Sequence, residues 1–130
     1  MEVLSSRILL RPRDFDRSSA FYRDTLGLRV YREYGSGGRV TGVVLFCGGG
    51  FLELTTGPPD EGGGVDAVVL WMQVPDVDVE VARLQGGGVD AGPAETMPWG
   101  LREAWLHDPD GVRIVLVEVP EGHPIRTRLD

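Results

Sequence analysis

The sequence contains no lysine: all 13 of its basic residues are arginine. That excludes a P-loop lysine and any Schiff-base lysine. Its single cysteine, Cys47, excludes a disulfide framework and a cysteine-rich zinc site. With no basic partner nearby in sequence, Cys47 reads as a buried, inert thiol. Five serines, two histidines and no nucleophile-elbow pattern leave a hydrolase triad without support. No apolar run approaches the roughly 18 residues of a membrane span. The start, Met1 to Arg7, lacks the basic end and long apolar stretch of a signal peptide, so the cytoplasm is the expected location. The three Gly-Gly-Gly runs are not phosphate loops, because none opens a helix with a lysine and no Gly-x-Gly-x-x-Gly occurs.

At 130 residues the chain suits one domain with a real core. Its 42% hydrophobic and 25% charged content is that of an ordinary soluble protein. The formal charge of −7 argues against nucleic acid as a partner. The charge is uneven: residues 1–57 carry 8 Arg against 6 acids, and residues 58–130 carry 5 Arg against 14 acids. An acidic half favours solubility and admits a cationic ligand.

In chain order, Ser6–Arg11 reads as a strand stopped by Pro12. Asp14 or Asp16 caps a helix through about Leu26, with Ala20, Phe21 and Leu26 on its buried face and Gly27 at its end. Strands follow from Leu28 to about Tyr34, from about Arg39 to Cys47, and over Phe51–Thr56, with Gly35–Gly38 as the first turn. Residues 58–65 read as a Gly/Pro linker. The pattern then restarts. Ala67–Val74 is a strand, and Pro75-Asp76 opens a helix carrying Val77, Val81 and Leu84 at helical spacing. A poorly defined strand near Val89–Ala94 comes next, then Leu101–His107, the turn Asp108-Pro109-Asp110-Gly111 and Val112–Val119. Asp76, Asp78 and Glu80 complement the helix dipole without a metal. The tail 120–130 shows no periodicity.

The chain is therefore an internal repeat. Leu9–Asp16 lies over Trp71–Asp78 at an offset of 62, and the same offset places Glu53 over Val115. Glu53 is the charged residue inside the otherwise apolar strand Phe51–Thr56. A carboxylate there either turns to solvent or serves a site.

Arg13-Asp14-Phe15-Asp16-Arg17-Ser18 leading to Phe21-Tyr22, Leu26-Gly27-Leu28, Phe51-Leu52-Glu53-Leu54, Val74–Asp78 and Asp108–Gly111 stand in an order that resembles the vicinal oxygen chelate superfamily, or glyoxalase/bleomycin resistance/dioxygenase superfamily. The resemblance implies an α+β fold of two βαβββ modules, about 5–57 and 66–119, whose curled sheets enclose a pocket, and it implies a homodimer. Metal-using members of that family take ligands from the first and last strands of each module. Those places are Arg7, Glu53, Val69 and Val115 here. Valine offers no lone pair and arginine stays protonated. A catalytic metal needs about three protein ligands. Metal-dependent glyoxalase I or extradiol dioxygenase activity is therefore not expected, and no metal or other cofactor is. The Arg7 guanidinium is expected to take the cation's place beside Glu53. If that pair is fully buried, Arg7→Ala costs on the order of 3–5 kcal/mol; if Glu53 is in water, it costs under about 0.5 kcal/mol.

Strand parity adds Leu9, Phe51, Thr55, Trp71, Arg113 and Val117 to the same faces, with Arg11 and Gln73 further along. The expected ligand-binding residues are Trp71, Phe51 and Trp99 for stacking, and Arg7, Arg11, Glu53 and Gln73 for polar orientation. Trp71 also suits a core, and Trp105 a core or a dimer interface. Glu103 and His107 share a strand face and invite an acid/base pair, although His107 directly precedes a surface turn. The reading is a metal-independent protein similar to the bleomycin-resistance type, sequestering an aromatic or cationic antibiotic or metabolite, with no membrane partner. The alternative is an enzyme of the same fold, a lyase, isomerase or dioxygenase, using Glu53 as a base or an atypical metal set such as Glu53 with His107.

Overall fold

The computed structural model describes residues 2, 4–5, 7–57 and 68–124. The expected linker, 58–65, and the end of the tail, 125–130, lie outside the described residues. The chain divides into two compact units, Met1–Gly64 and Val65–Asp130. No helix among the described residues is long and apolar enough to cross a membrane.

The first unit runs β1 (Arg7–Leu10), α1 (Phe15–Ala20), a π-helical turn (Phe21–Thr25), β2 (Val30–Ser36), β3 (Arg39–Cys47) and β4 (Gly50–Thr55). Its sheet has the order β1-β4-β3-β2, with β1 parallel to β4 and the other pairs antiparallel. A parallel pair needs a crossover, and the helix supplies it. Asp14 starts α1 by accepting from the Arg17 N–H at 3.1 Å. Gly27, at φ +81°, ends the helical segment, and the Leu28 N–H reaches back to the Tyr22 carbonyl at 3.0 Å.

The single α-helix expected through Leu26 gives way to the wider π turn after Ala20. Its buried face is also different. Ser18, Ser19 and Tyr22 are buried, whereas Ala20, Phe21 and Leu26 are only half-buried. The first hairpin is tighter than expected. Ser36 pairs with Arg39 across Gly37 and Gly38, both with positive φ, so β2 runs on to Ser36.

The second unit repeats the plan: β5 (Val69–Gln73), α2 (Val77–Gly86), β6 (Glu95–Thr96), β7 (Arg102–His107) and β8 (Arg113–Glu118), in the order β5-β8-β7-β6 with β5 parallel to β8. Arg7 pairs with Phe51 in the first unit and Val69 with Arg113 in the second, so the offset of 62 holds for register as well as order. Asp76 caps α2 by accepting from Val79 N–H, and Val77, Val81 and Leu84 are buried as their spacing predicts. The expected strand near Val89–Ala94 is absent. Pro93 has no N–H to give a ladder, and only Gly92 N–H bonds to Trp105 O before the two-residue β6. Asp108 builds the last turn, its Oδ1 accepting from the N–H groups of Asp110 and Val112 at 2.8 Å each.

Side chains alternate across each sheet. In the first unit Val43, Leu45, Leu52 and Leu54 are buried on one face. The other face carries Arg7 and Leu9 from β1, Phe51, Glu53 and Thr55 from β4, and Val44 and Phe46 from β3. Glu53 therefore belongs to the face opposite the leucines that flank it.

Candidate functional site

Glu53 accepts from two partners at once. Arg7 Nη1 donates to its Oε1 at 2.6 Å, and the Tyr34 hydroxyl donates to its Oε2 at 2.5 Å. The Glu53 side chain keeps 14% of its exposure and that of Arg7 41%. The ion pair expected from the superfamily resemblance is thus present, with Glu53 mostly covered and Arg7 half in water. Tyr34 was not among the candidates. It comes from β2, two strands away, and pairs with Gly42. Its ring lies over Gly42 so closely that a Cβ there would sit 2.0 Å from Tyr34 Cζ. The missing side chain of Gly42 is what lets the phenol cross β3 and reach β4. Val44, which pairs with both Arg32 and Glu53, is fully buried.

The electrostatics follow from these bonds. The Tyr34 hydrogen bond, then that of Arg7, holds the Glu53 carboxyl below the usual carboxylate range. Burial, then the bond to Glu53, pushes the Tyr34 phenol above its usual range. A carboxylate with both oxygens engaged and a lowered pKa is a poor general base. Arg7→Ala is expected to cost about 1 kcal/mol, because Glu53 keeps Tyr34 and water enters the arginine's half-exposed place. Chemical denaturation at neutral pH checks this. A cost above about 3 kcal/mol would mean a fully buried pair.

Beside this network lies an aromatic cluster. Tyr31 and Phe51 have ring centroids 4.9 Å apart, Tyr31 and Phe46 5.2 Å, and Phe46 and Phe51 5.6 Å. Guanidiniums border it. Arg7 Cζ lies 5.9 Å from the Phe51 centroid and Arg29 Cζ 5.4 Å from that of Phe46. Of the expected site residues, the first unit therefore brings together Arg7, Phe51 and Glu53. Arg11 is exposed beyond the end of β1, near Gly57. An open cleft of about 360 Å³ near the start of α1 is lined by Arg13, Asp14, Asp16 and Arg39 among others, and holds none of the expected residues.

Trp71, Gln73 and Trp99 belong to the second unit. Trp71, on β5 opposite Val115, is 48% exposed and so is not a core filler; Gln73 shares its face. Trp99 is 55% exposed, and its indole N–H donates to Glu103 Oε2 at 2.8 Å. His123, from a tail without periodicity, sits against the Trp99 carbonyl at 3.1 Å. Glu103 is thus held by Trp99, and the acid/base pairing with His107 is not formed: His107 is exposed at the turn. Trp105 is exposed rather than core. Cys47 is half-buried rather than buried, and that burial pushes its thiol up.

For a metal, the donor set does not fit the superfamily arrangement. Arg7 is a cation already bonded to Glu53, and Val69 and Val115 have no lone pair. Among the described residues, Asp76, Asp78 and Glu118 bring carboxylates within 4.8 Å of one another. Asp76 and Glu118 accept from the first N–H groups of α2, and Asp78 pairs with Arg102, which accounts for the cluster without an ion.

Solved structures similar to this chain share its fold. TnmS3, an antibiotic binding protein from Streptomyces sp. CB03234, superposes with a TM-score of 0.73 at 22% identity, over 92% of this chain and 98% of its own. TioX from Micromonospora sp. ML1 gives 0.69 at 23% identity, over 88% and 95%. A lactoylglutathione lyase from Agrobacterium tumefaciens gives 0.68 at 21%, over 91% and 94%. No curated protein matches in sequence. The family model of the Glyoxalase/Bleomycin resistance protein/Dioxygenase superfamily matches residues 5–116, and the chain belongs to that superfamily.

Proposed function

We propose that this protein binds a small aromatic molecule, an antibiotic or metabolite, and holds it without a metal and without making or breaking a bond. The observation that carries the reading is the state of Glu53. In the strand where metal-using relatives place a ligand, its carboxylate is engaged on both oxygens by Arg7 and Tyr34, next to a three-ring platform. Neither a metal ligand nor a proton acceptor is left over there, while aromatic surface suited to stacking is. The fold-level likeness to the antibiotic binding protein TnmS3 agrees with this reading. Arg7, Phe51 and Glu53 serve it in the first unit. Trp71, Gln73 and Trp99, exposed in the second unit, and Arg11 are candidate binding residues of their own units, and the same proposal includes a homodimeric assembly and a cytoplasmic location. The enzyme alternative, with Glu53 as base, is disfavoured by its lowered pKa.

The test is calorimetric titration with a panel of flat aromatic antibiotics and metabolites. It is run on EDTA-treated wild type, Trp71→Ala and Phe46→Ala. At least one compound is expected to bind saturably and unchanged. Phe46→Ala should weaken it about five- to tenfold, the worth of roughly 1 kcal/mol of stacking. Stoichiometric Zn, Fe, Mn or Ni in the purified protein, or turnover of the bound compound, would sink the reading.

A further inference from the structure

We propose, building on the metal-free binding assigned to this face, that its ligand is a planar aromatic anion whose charge is held by Arg29 and Arg32. Tyr31, Phe46 and Phe51 form a contiguous ring surface, and Tyr31 is 51% and Phe46 38% exposed. Among the described residues, three guanidiniums stand on this face against one carboxylate, Glu53, which Arg32 also attracts. Arg7 is neutralised by Glu53. Arg29 lies over Phe46, and Arg32 lies 5.6 Å over the ring of Tyr34. Neither Arg29 nor Arg32 forms an ion pair among the described residues. Glu33, the nearest acid in sequence, pairs with Val43 and so belongs to the opposite face.

The local sign is set by a backbone irregularity. Val30 pairs with Leu45 and Arg32 with Val44, so Tyr31 is an extra residue bulged out of β2. In a regular strand Tyr31 and Arg32 would point to opposite faces. Here both serve the one that carries Glu53: Tyr31 touches Phe46 and Phe51, and Arg32 covers Tyr34. Arg29 is fixed just outside β2, where its carbonyl accepts from the Phe46 N–H at 2.9 Å. A flat arene stacked on the platform brings a carboxylate or sulfonate within reach of guanidinium forks, which bind such groups in two-pronged fashion. A cationic arene meets repulsion in the same place. The sign is opposite to that of the whole chain, whose formal charge of −7 favours a cation.

Calorimetric titration with three bicyclic probes tests this: 2-naphthoate, 2-naphthamide and N-methylquinolinium. Each is titrated into wild type and into the Arg29→Gln/Arg32→Gln double variant. In wild type, 2-naphthoate is expected to bind at least about tenfold tighter than N-methylquinolinium, and more tightly than the amide. In the double variant the naphthoate-to-amide ratio is expected to fall to near one. Binding of all three with equal affinity, or a preference for the cation, overturns the charge assignment and leaves the binding proposal standing. Binding of none overturns both. Absence of binding together with a Tyr31→Ala change in sedimenting mass overturns both as well, because the platform is then an interface between copies.

Discussion

Gly42→Ala is expected to destabilise the fold by about 2 kcal/mol in urea unfolding. A methyl group at this position would lie 2.0 Å from Tyr34 Cζ and 2.4 Å from its hydroxyl oxygen. The phenol must swing away, and its hydrogen bond to the Glu53 carboxylate goes with it. A bond to a charged group is worth roughly 1.5–3 kcal/mol, which sets the size of the effect. Gly49→Ala is the control: nothing lies within 4 Å of an added Cβ there, so a change of under about 0.5 kcal/mol is expected. A double-mutant cycle isolates the cause. In a Tyr34→Ala background the ring is gone, and Gly42→Ala should cost almost nothing, a coupling of about 2 kcal/mol. Additive costs in that cycle would show that Gly42 answers to some other constraint.

Glu53→Gln is expected to cost a similar amount at pH 7, about 2 kcal/mol, and this cost should disappear in acid. The folded Glu53 carboxyl has a pKa held below its ordinary 4.5, first by Tyr34 and then by Arg7. An acid with a depressed folded pKa binds its proton less readily folded than unfolded. Its contribution is therefore complete above the unfolded pKa and is lost as the pH falls through the folded one. The gap between wild type and Glu53→Gln should be constant above the ordinary carboxylate pKa and narrow as the pH falls below it. Tyr34→Phe should move the closing point upward, because the strongest of the groups holding the pKa down is gone. Urea unfolding of the three proteins across this range measures it. A gap that persists unchanged at pH 3 would mean that the amide costs the fold through packing rather than through charge.

The resemblance to the superfamily made the Arg7–Glu53 pair readable, because it places both residues among the four ligand positions of metal-using members. The repeat offset of 62 supports that placement, and alternation along each strand then adds the residues two places away to the same faces. The helix caps at Asp14 and Asp76 were local, since the bond that starts each helix spans three residues. Once the resemblance supplies the positions Arg7, Glu53, Val69 and Val115, what they can donate is a matter of residue type.

Tyr34 was not readable in this way. It reaches Glu53 by crossing Gly42, and nothing in either residue's neighbourhood in sequence announces that pairing. The buried face of α1 differs from the one apolar spacing predicts, because Ser18 and Ser19 fill it beside Tyr22 in place of Ala20, Phe21 and Leu26. The absence of a strand at Val89–Ala94 came from Pro93, whose missing N–H is a local cause that the strand pattern around it masked. The bulge at Tyr31 inverted parity for one residue. Bulges arise where register on two strands disagrees, which is a property of the pair and not of either strand.

The sequence by itself determined the tandem order of elements and the repeat offset of 62, and through the resemblance its motifs pointed to the superfamily and to Arg7 as the partner of one Glu53 oxygen, because these rest on residue type, spacing and motif order. Only the tertiary structure decided that Tyr34 takes the other oxygen, that Arg7 stays half in water, and that Tyr31 and Arg32 share a face with Phe46 and Phe51. Those outcomes depend on cross-strand register and on the space left by a missing Cβ, which no single stretch of chain contains.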